Sequence, residues 1–167
     1  NDNGDNEIKF EVIKAERSYL LENKDDYPSC NLYIDIMFPV ESNKYDLAKI
    51  QDIFLNSLIG TSFTGMEISD ALEKYISDYI SNYKRDAEIY KTTKPSKGEY
   101  SSEFEDLYHE DGEHSNLPEI FYSYYESITD SIVYNHHGVL SLQVRQTNNK
   151  GGNISYEIVR NYVVDLE

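Results

Sequence analysis

The chain has 167 residues, 39% of them hydrophobic, which is enough for one domain with a hydrophobic core. Its formal net charge of −16, from 31 acidic and 15 basic residues, argues against nucleic-acid binding, because phosphates are bound through Lys and Arg. The same charge would attract a basic partner over a long range. No stretch approaches the roughly 18 apolar residues of a membrane span.

The first part of the chain predicts a β-hairpin. Residues 1–7 are polar, which is typical of a linker exposed after a leader is removed or after a lipid-anchored start. From Ile8 the apolar residues alternate and then change phase at Ile13, which predicts a strand with a bulge or an early bend. A second alternating strand begins at Cys30. We expect it to end at Pro39, because proline cannot donate to a sheet ladder.

Two segments with helical spacing follow. The first has apolar residues at offsets of three and four: Leu47, Ile50, Phe54 and Leu58. Ser42 or Asn43 is predicted to cap its start. In the second, an apolar stripe from Ile68 to Tyr83 predicts a long helix that packs on a sheet. Thr64 and Glu67, just before it, have the spacing of a capping box.

Residues 92–117 lack periodicity and are rich in Glu and Asp, with Pro and Gly between them, which predicts an extended acidic loop. A loop of this length in a compact domain is usually functional or mobile. His109 and His114 lie five residues apart, whereas the helical zinc motif needs a spacing of four. A solvated loop is therefore favoured, and adventitious binding of a divalent cation is the alternative.

The last third of the chain predicts three more strands. Ile120 to Tyr134 is rich in residues that favour strands, and apolar residues alternate from Leu140 to Val144 and again from Ile154 to Val164. Short turns at 135–138 and 148–152 suit hairpins, so we expect an antiparallel meander. Together, residues 8–167 predict a single α+β domain with the helices on one face of the sheet.

The residues that could carry chemistry do not form a catalytic pattern. Serine catalysis needs an activated serine on a strained turn, and no Gly-x-Ser-x-Gly element is present. Cys30, the single cysteine, is predicted to be a small buried hydrophobe. His136 and His137 lie in a predicted turn, where a polar pair is usually exposed and idle. We therefore expect a non-enzymatic protein without metal or cofactor; an enzyme would require converging acids or histidines with perturbed pKa values.

Sixteen tyrosines without any tryptophan are the most unusual feature of the composition. Tyrosine combines a flat apolar ring with a hydrogen-bonding tip, which suits cores, protein interfaces and sugar stacking. We expect Tyr75, Tyr79 and Tyr83 to line the edge of the core. The candidate contact residues for a partner are three tyrosines near the third strand and five acids of the loop: Tyr122, Tyr124, Tyr125, Glu103, Glu105, Asp106, Glu110 and Asp111.

Three segments carry a family resemblance: Tyr134-Asn135-His136-His137-Gly138-Val139-Leu140-Ser141-Leu142, Asn149-Lys150-Gly151-Gly152 and Tyr162-Val163-Val164-Asp165-Leu166-Glu167. With the order of elements, they resemble a bacterial extracytoplasmic domain family of unknown function. Its members include the extracellular part of RsiV-type lysozyme-sensing anti-sigma factors and the region ahead of the catalytic domain of PdaC-type peptidoglycan deacetylases. The resemblance covers nearly the whole chain from Ile8 onward.

The resemblance implies an exported protein of the periplasm or cell surface that binds a partner, such as a basic protein like lysozyme. The alternative is a glycan- or peptidoglycan-binding module accessory to a cell-wall enzyme. The sequence departs from the family pattern in two places, and these limit what the resemblance implies. Gly151-Gly152 is followed by Asn153 where the family commonly has Ala-His-Gly, so no role of that histidine is transferred. The family also continues beyond a strand like Val163–Leu166, so we expect either a truncated chain or a shorter relative.

Overall fold

The computed structural model describes residues 8–21, 29–93, 123–151 and 155–167, which form a five-stranded sheet and two α-helices. The α+β class predicted from the sequence is therefore confirmed. The strands are β1 (Ile8–Leu20), β2 (Ser29–Ser42), β3 (Tyr124–His136), β4 (Val139–Lys150) and β5 (Tyr156–Asp165). The helices are α1 (Leu47–Leu58) and α2 (Ile68–Thr93).

The strands lie in the order β1-β2-β3-β4-β5. Neighbours are antiparallel except β2 and β3, which are parallel. The sequence predicted a hairpin and a three-stranded meander, and the structure differs by joining both into one mixed sheet. Both helices lie in the connection between β2 and β3, which agrees with the need of parallel strands for a long crossover.

The core lies between the helices and one face of the sheet. Phe54 of α1 packs against Phe10 and Phe38, with ring centroids 5.7 and 6.2 Å apart. The alternation predicted for β2 and β4 is confirmed, because their inward residues are fully buried: Leu32, Ile34, Ile36, Phe38, Leu140, Leu142 and Val144. Neither helix, within the described ranges, is long and apolar enough to cross a membrane.

The strand β2 continues past Pro39 to Ser42, so the predicted end of this strand is wrong. Proline is tolerated there for two reasons. Pairing of β2 with β3 extends only to Asp35, so no β3 carbonyl requires a donor at Pro39. In addition, the register with β1 shifts beside Val40, which is left unpaired, and such bulges accommodate proline. The bulge predicted at Ile13 is therefore misplaced, because pairing is regular there; the bulge of this hairpin lies at Lys9–Phe10 and its extra residue is in β2.

The predicted helix caps are also wrong. Asp46 caps α1 by accepting a hydrogen bond from the backbone N–H of Lys49 at 3.3 Å. Ser42 instead accepts one from the backbone N–H of Tyr45 before the helix begins. Thr64 ends a short 3-10 turn, and α2 begins four residues later, so Thr64 forms no capping box. These polar residues hold local turns that a spacing rule does not distinguish from caps.

Candidate binding surface

The sheet face opposite the helices is left open by the described elements. Its ion pairs include one between Lys14 and Asp35, with an N···O distance of 3.4 Å, and one between Arg145 and Glu157, at 2.7 Å. Large apolar side chains are exposed on the same face, as strand alternation and the register require: Val12, Leu20, Tyr125, Tyr134, Val159 and Val163. Such a mixture of apolar and paired polar groups is suited to contact with another macromolecule.

The predicted contact tyrosines lie on opposite faces. Tyr125 is 42% exposed on the open face. Tyr124 is half-buried beneath α2, where its hydroxyl donates to Asp86 at 3.0 Å and its ring lies 5.1 Å from that of Tyr83. Burial, followed by the bond to Asp86, raises the pKa of Tyr124 to about 12. The remaining candidates lie outside the described residues: Tyr122, Glu103, Glu105, Asp106, Glu110 and Asp111.

The tyrosines of α2 line the edge of the core, as predicted. Tyr83 is 1% exposed, and Tyr75 and Tyr79 are partly buried against the core. Burial is the main cause that raises the pKa of each of these phenols above its ordinary value. They therefore remain protonated donors at every physiological pH.

A buried carboxylate, Glu126, lies under α2 and is not among the residues predicted from the sequence. Glu126 is only 2% exposed to solvent. One oxygen accepts from the Tyr75 hydroxyl at 2.7 Å, and the other accepts from the amide of Gln146. Arg160 donates to Gln146 at 3.0 Å. The sequence offered one indication of this burial: Glu126 lies two residues before Ile128, and residues two apart in a strand share a face.

A cleft of about 700 Å³ opens at the end of the sheet where β2 and β3 are no longer paired. Its lining is largely apolar, with one lysine, one histidine and one asparagine: Ile8, Lys9, Phe10, Met37, Ile132, Val133, Tyr134, Asn135 and His136. The register of β3 against β4 shifts at Val133, which is left unpaired and 65% exposed. This bulge directs an apolar side chain into the mouth of the cleft.

Two side chains of β3 bridge the gap between the separated strands. Asp130 Oδ1 accepts from the backbone N–H of Met37 at 2.6 Å, and Asn135 Nδ2 donates to the carbonyl of Ile8 at 2.9 Å. The second oxygen of each, Asp130 Oδ2 and Asn135 Oδ1, is buried and has no hydrogen-bond partner in the part of the chain that the structure describes. Burial, with a smaller contribution from Asp35, raises the pKa of Asp130 to about 6, although the bond from Met37 opposes it.

Among the described residues, His136, His137 and Cys30 form no reactive group with one another, and His109 and His114 lie outside those residues. His137 is exposed in the turn between β3 and β4, and His136 lines the cleft. Cys30 is 0% exposed, as predicted, and burial raises the pKa of its thiol to about 12. A buried protonated thiol is a poor nucleophile. Within the described ranges, no three His, Cys, Asp or Glu side chains are grouped to hold a metal ion.

The fold is similar to that of a solved structure of a duf3298 family member. A duf3298 family member from Bacteroides fragilis matches with a TM-score of 0.74 and 19% identity, over 98% of this chain and 58% of that chain. A duf3298 family protein from Pseudomonas aeruginosa matches with a TM-score of 0.44 and 9% identity, over 97% of this chain and 54% of that chain. No protein-family model and no curated protein matches. The chain thus spans little more than half the length of these neighbours and has the fold of the duf3298 protein from B. fragilis.

Proposed function

We propose that this chain is a non-enzymatic, exported cell-envelope domain that binds a basic protein, such as a lysozyme, at the cell surface. The observation that carries the proposal is the open sheet face, which presents apolar side chains beside ion pairs on a chain with a formal net charge of −16. The charge raises the rate of encounter with a basic partner, and the apolar residues supply contact area.

The acidic loop at 92–117 is the proposed source of the attraction, and Tyr125 is the described tyrosine proposed for contact. Tyr124 contributes indirectly, because its half-buried ring and its bond to Asp86 hold the strand that presents Tyr125. Cys30 supports a non-enzymatic role, since the only thiol of the chain is buried and protonated.

The first experiment measures binding of the purified chain to hen lysozyme at low and at moderate salt. Saturable binding that persists at moderate salt is expected, because a shaped interface is screened less than a long-range charge effect. A loop variant in which Glu103, Glu105, Asp106, Glu110 and Asp111 become Lys should bind more weakly and with a flatter salt dependence. Absence of lysozyme binding at low salt would contradict the basic partner.

A matched control separates the loop from the total charge. Reversing four acids of α2 and the one just before it changes the net charge equally, from −16 to −6, since each reversal adds two positive charges: Glu67, Asp70, Glu73, Asp78 and Glu88. If both variants lose the same affinity, the loop has no special role. A larger loss in the loop variant supports the loop as the site of attraction.

A glycan-binding module is the second candidate, and the exposed tyrosines of the sheet favour it. Tyr125, Tyr134 and Tyr156 are all more than two-fifths exposed, and tyrosine rings stack on sugar faces. This candidate predicts retention on insoluble peptidoglycan that persists at moderate salt and falls in Tyr125→Ala or Tyr134→Ala. If no glycan in a panel of envelope glycans retains the chain, the proposal of a glycan-binding module is wrong.

A further inference from the structure

The two outermost strands of the sheet, β1 and β5, differ in how their free edges are protected. Each pairs with one neighbour, and no other strand of the described ranges lies beside either of them. Such an edge presents unpaired backbone N–H and C=O groups, which match those of another extended chain. Charged side chains usually protect it, and β1 follows this rule with five charged residues among thirteen: Lys9, Glu11, Lys14, Glu16 and Arg17.

The edge of β5 has little of this protection. Only three of its ten residues are charged, and none is proline. Apolar side chains are exposed on both faces of the strand, with Tyr156 and Ile158 on the helix side and Val159 and Val163 on the open face. Each of the four is at least 41% exposed. A long apolar edge with few charges favours pairing with a further strand.

The helix side of the sheet leaves room for such a strand. α1 packs on β1 and β2. α2 also lies over that half of the sheet, where Glu73 pairs with Arg17 of β1 at 2.6 Å and Tyr75 donates to Glu126 of β3 at 2.7 Å. Tyr156 points to the same side from β5 and is 65% exposed. A strand added beside β5 is therefore not obstructed by the described helices.

A second copy of the chain matches this edge in conformation. Its β5 is already extended and held by β4, so pairing does not require the ordering of a disordered peptide. Antiparallel pairing about a two-fold axis makes one strand edge complementary to itself, because each copy supplies the same N–H and C=O groups. Pairing of β5 with β1 of another copy would instead continue without closing, and it would meet the charged edge.

The charge around β5 also permits this pairing. The whole chain has a formal net charge of −16, so two copies repel each other over long distances. Near β5 the charges nearly cancel, since Glu157 pairs with Arg145 at 2.7 Å and the other two charged residues of the strand, Arg160 and Asp165, have opposite signs. Salt screens the long-range repulsion and leaves the apolar contact almost unaffected. Association of two copies should therefore strengthen as the salt concentration rises.

Strand geometry restricts the register of the two copies. In a continuous sheet, residues directly opposite each other point to the same face, so odd-numbered residues of β5 meet odd-numbered ones and even-numbered residues meet even-numbered ones. Two registers then pair nearly the whole strand. One places Arg160 opposite Arg160 of the second copy, and like charges directly opposite each other are destabilising. The other places Asn161 opposite Asn161 of the second copy and Val159 opposite Val163, which buries apolar area on the open face.

We propose that two copies of this chain pair along β5, antiparallel and with Asn161 on the two-fold axis, so that their five-stranded sheets form one sheet of ten strands. At each end of the contact Glu157 lies opposite Asp165 of the second copy, and the ion pair of Glu157 with Arg145 offsets that repulsion. The two open faces then lie on the same side. This contact needs neither a basic partner nor a glycan, so failure of either binding test leaves it standing, and a monomeric chain leaves the proposed function standing.

Analytical ultracentrifugation of the full chain tests the proposal over a wide range of protein concentration, at low and at moderate salt. We expect a reversible equilibrium of monomer and dimer in which the dimer fraction rises with salt. Val163→Lys should lower the association constant at least about tenfold, whereas Val12→Lys should change it less than about twofold. Both valines are exposed on the open face, on β5 and β1 respectively, and both variants change the net charge equally. A chain that stays monomeric, equal effects of the two lysines, or growth beyond a dimer would overturn the proposal.

Disulfide trapping then tests the register. In a chain that carries Cys30→Ala, the substitution Asn161→Cys places one thiol on the two-fold axis, opposite that of the second copy. Directly opposite residues of antiparallel strands have Cα atoms roughly 4.5–5.5 Å apart, a separation that a disulfide spans. Mild oxidation should link this variant into dimers at least about tenfold faster than the matched control, Val12→Cys in the same background. If the two variants are linked at equal rates, Asn161 does not lie on the axis and the proposal is wrong.

Discussion

The two ends of the contact between β2 and β3 are built differently, although each places an acid of β3 against the core side. At one end the strands are joined by backbone pairing, and Glu126 has a hydrogen-bond donor on each oxygen. At the other end side chains replace the backbone bridges, and Asp130 has one oxygen without a partner. Four residues along one strand thus separate a satisfied carboxylate from an unsatisfied one.

This difference indicates which end of the contact holds the sheet more firmly. Buried polar groups in folded proteins are nearly always paired, and exceptions call for an explanation. The paired end includes Cys30, Leu32 and Glu126, all buried, and it holds the sheet to α2. At the other end a cleft opens, and the second side-chain oxygens of Asp130 and Asn135 are buried without a partner among the described residues.

The largest expected contrast between the two ends is in thiol reactivity. Cys30 lies at the paired end, is fully buried and has a raised pKa, so it should react only in rare unfolded molecules. A thiol at the open end, Val133→Cys combined with Cys30→Ala, should react at least on the order of a thousandfold faster with a disulfide reagent. In denaturant the two proteins should react alike. Rapid labelling of Cys30 in the native chain would contradict a closed paired end.

A second contrast concerns two tyrosines one turn apart on α2. Tyr75→Phe removes a donor from the buried Glu126 and should lower the free energy of unfolding by about 1–3 kcal/mol. Tyr79→Phe removes a hydroxyl that is buried without a partner, so it should be neutral or slightly stabilising. Urea unfolding of both variants measures the difference. Equal destabilisation would show that Glu126 does not depend on Tyr75.

The third and smallest effect concerns Asp130 and pH. The folded state raises its pKa from 3.8 to about 6, so the folded chain retains this proton more strongly than the unfolded chain. Stability associated with this group is therefore greatest below about pH 3.8 and is lost as pH rises to about 6 and beyond. The difference between these two pKa values corresponds to at most about 3 kcal/mol, which solvent screening of a partly buried carboxyl reduces to about 1–2 kcal/mol.

Asp130→Asn keeps an oxygen that can accept from Met37 and removes the charge. It should raise the free energy of unfolding by about 1–2 kcal/mol at pH 7.5 and leave it nearly unchanged at pH 3.5. Thermal unfolding at the two pH values provides the measurement. Equal stabilisation of the variant at both pH values would indicate that the charge of Asp130 does not cause the loss of stability at high pH.

Most of the elements could be predicted from side-chain periodicity. Leu140, Leu142 and Val144 alternate in the sequence and are fully buried in the structure, because strand geometry alone fixes the face of each residue. The burial of the α2 tyrosines was predictable from helical spacing, because residues four apart share one face of a helix. Near Tyr124 and Tyr125 the run of aromatic residues hides the alternation, and no pattern in the sequence separates the covered ring from the exposed one.

The pairing of strands could not be predicted in this way. Period two shows which side chains share a face, but it does not show that β2 and β3 are neighbours, and the cleft follows from where that pairing ends. The roles of Asp130 and Asn135 depend on this pairing, since each bridges to a strand about a hundred residues away in the chain. The contact role of the acidic loop stays a prediction.

The parallel contact also has a kinetic consequence. The bond from Met37 to Asp130 closes a chain segment of 93 residues, and the bond from Asn135 to Ile8 closes one of 127. The β3–β4 hairpin turns within two residues, His137 and Gly138, both in the left-handed region that such a turn requires. Local pairings of this kind form rapidly, whereas contacts of long sequence separation are slow to form. We therefore expect the sheet to assemble as two halves, and the cleft between them to be the last part of the fold to take shape.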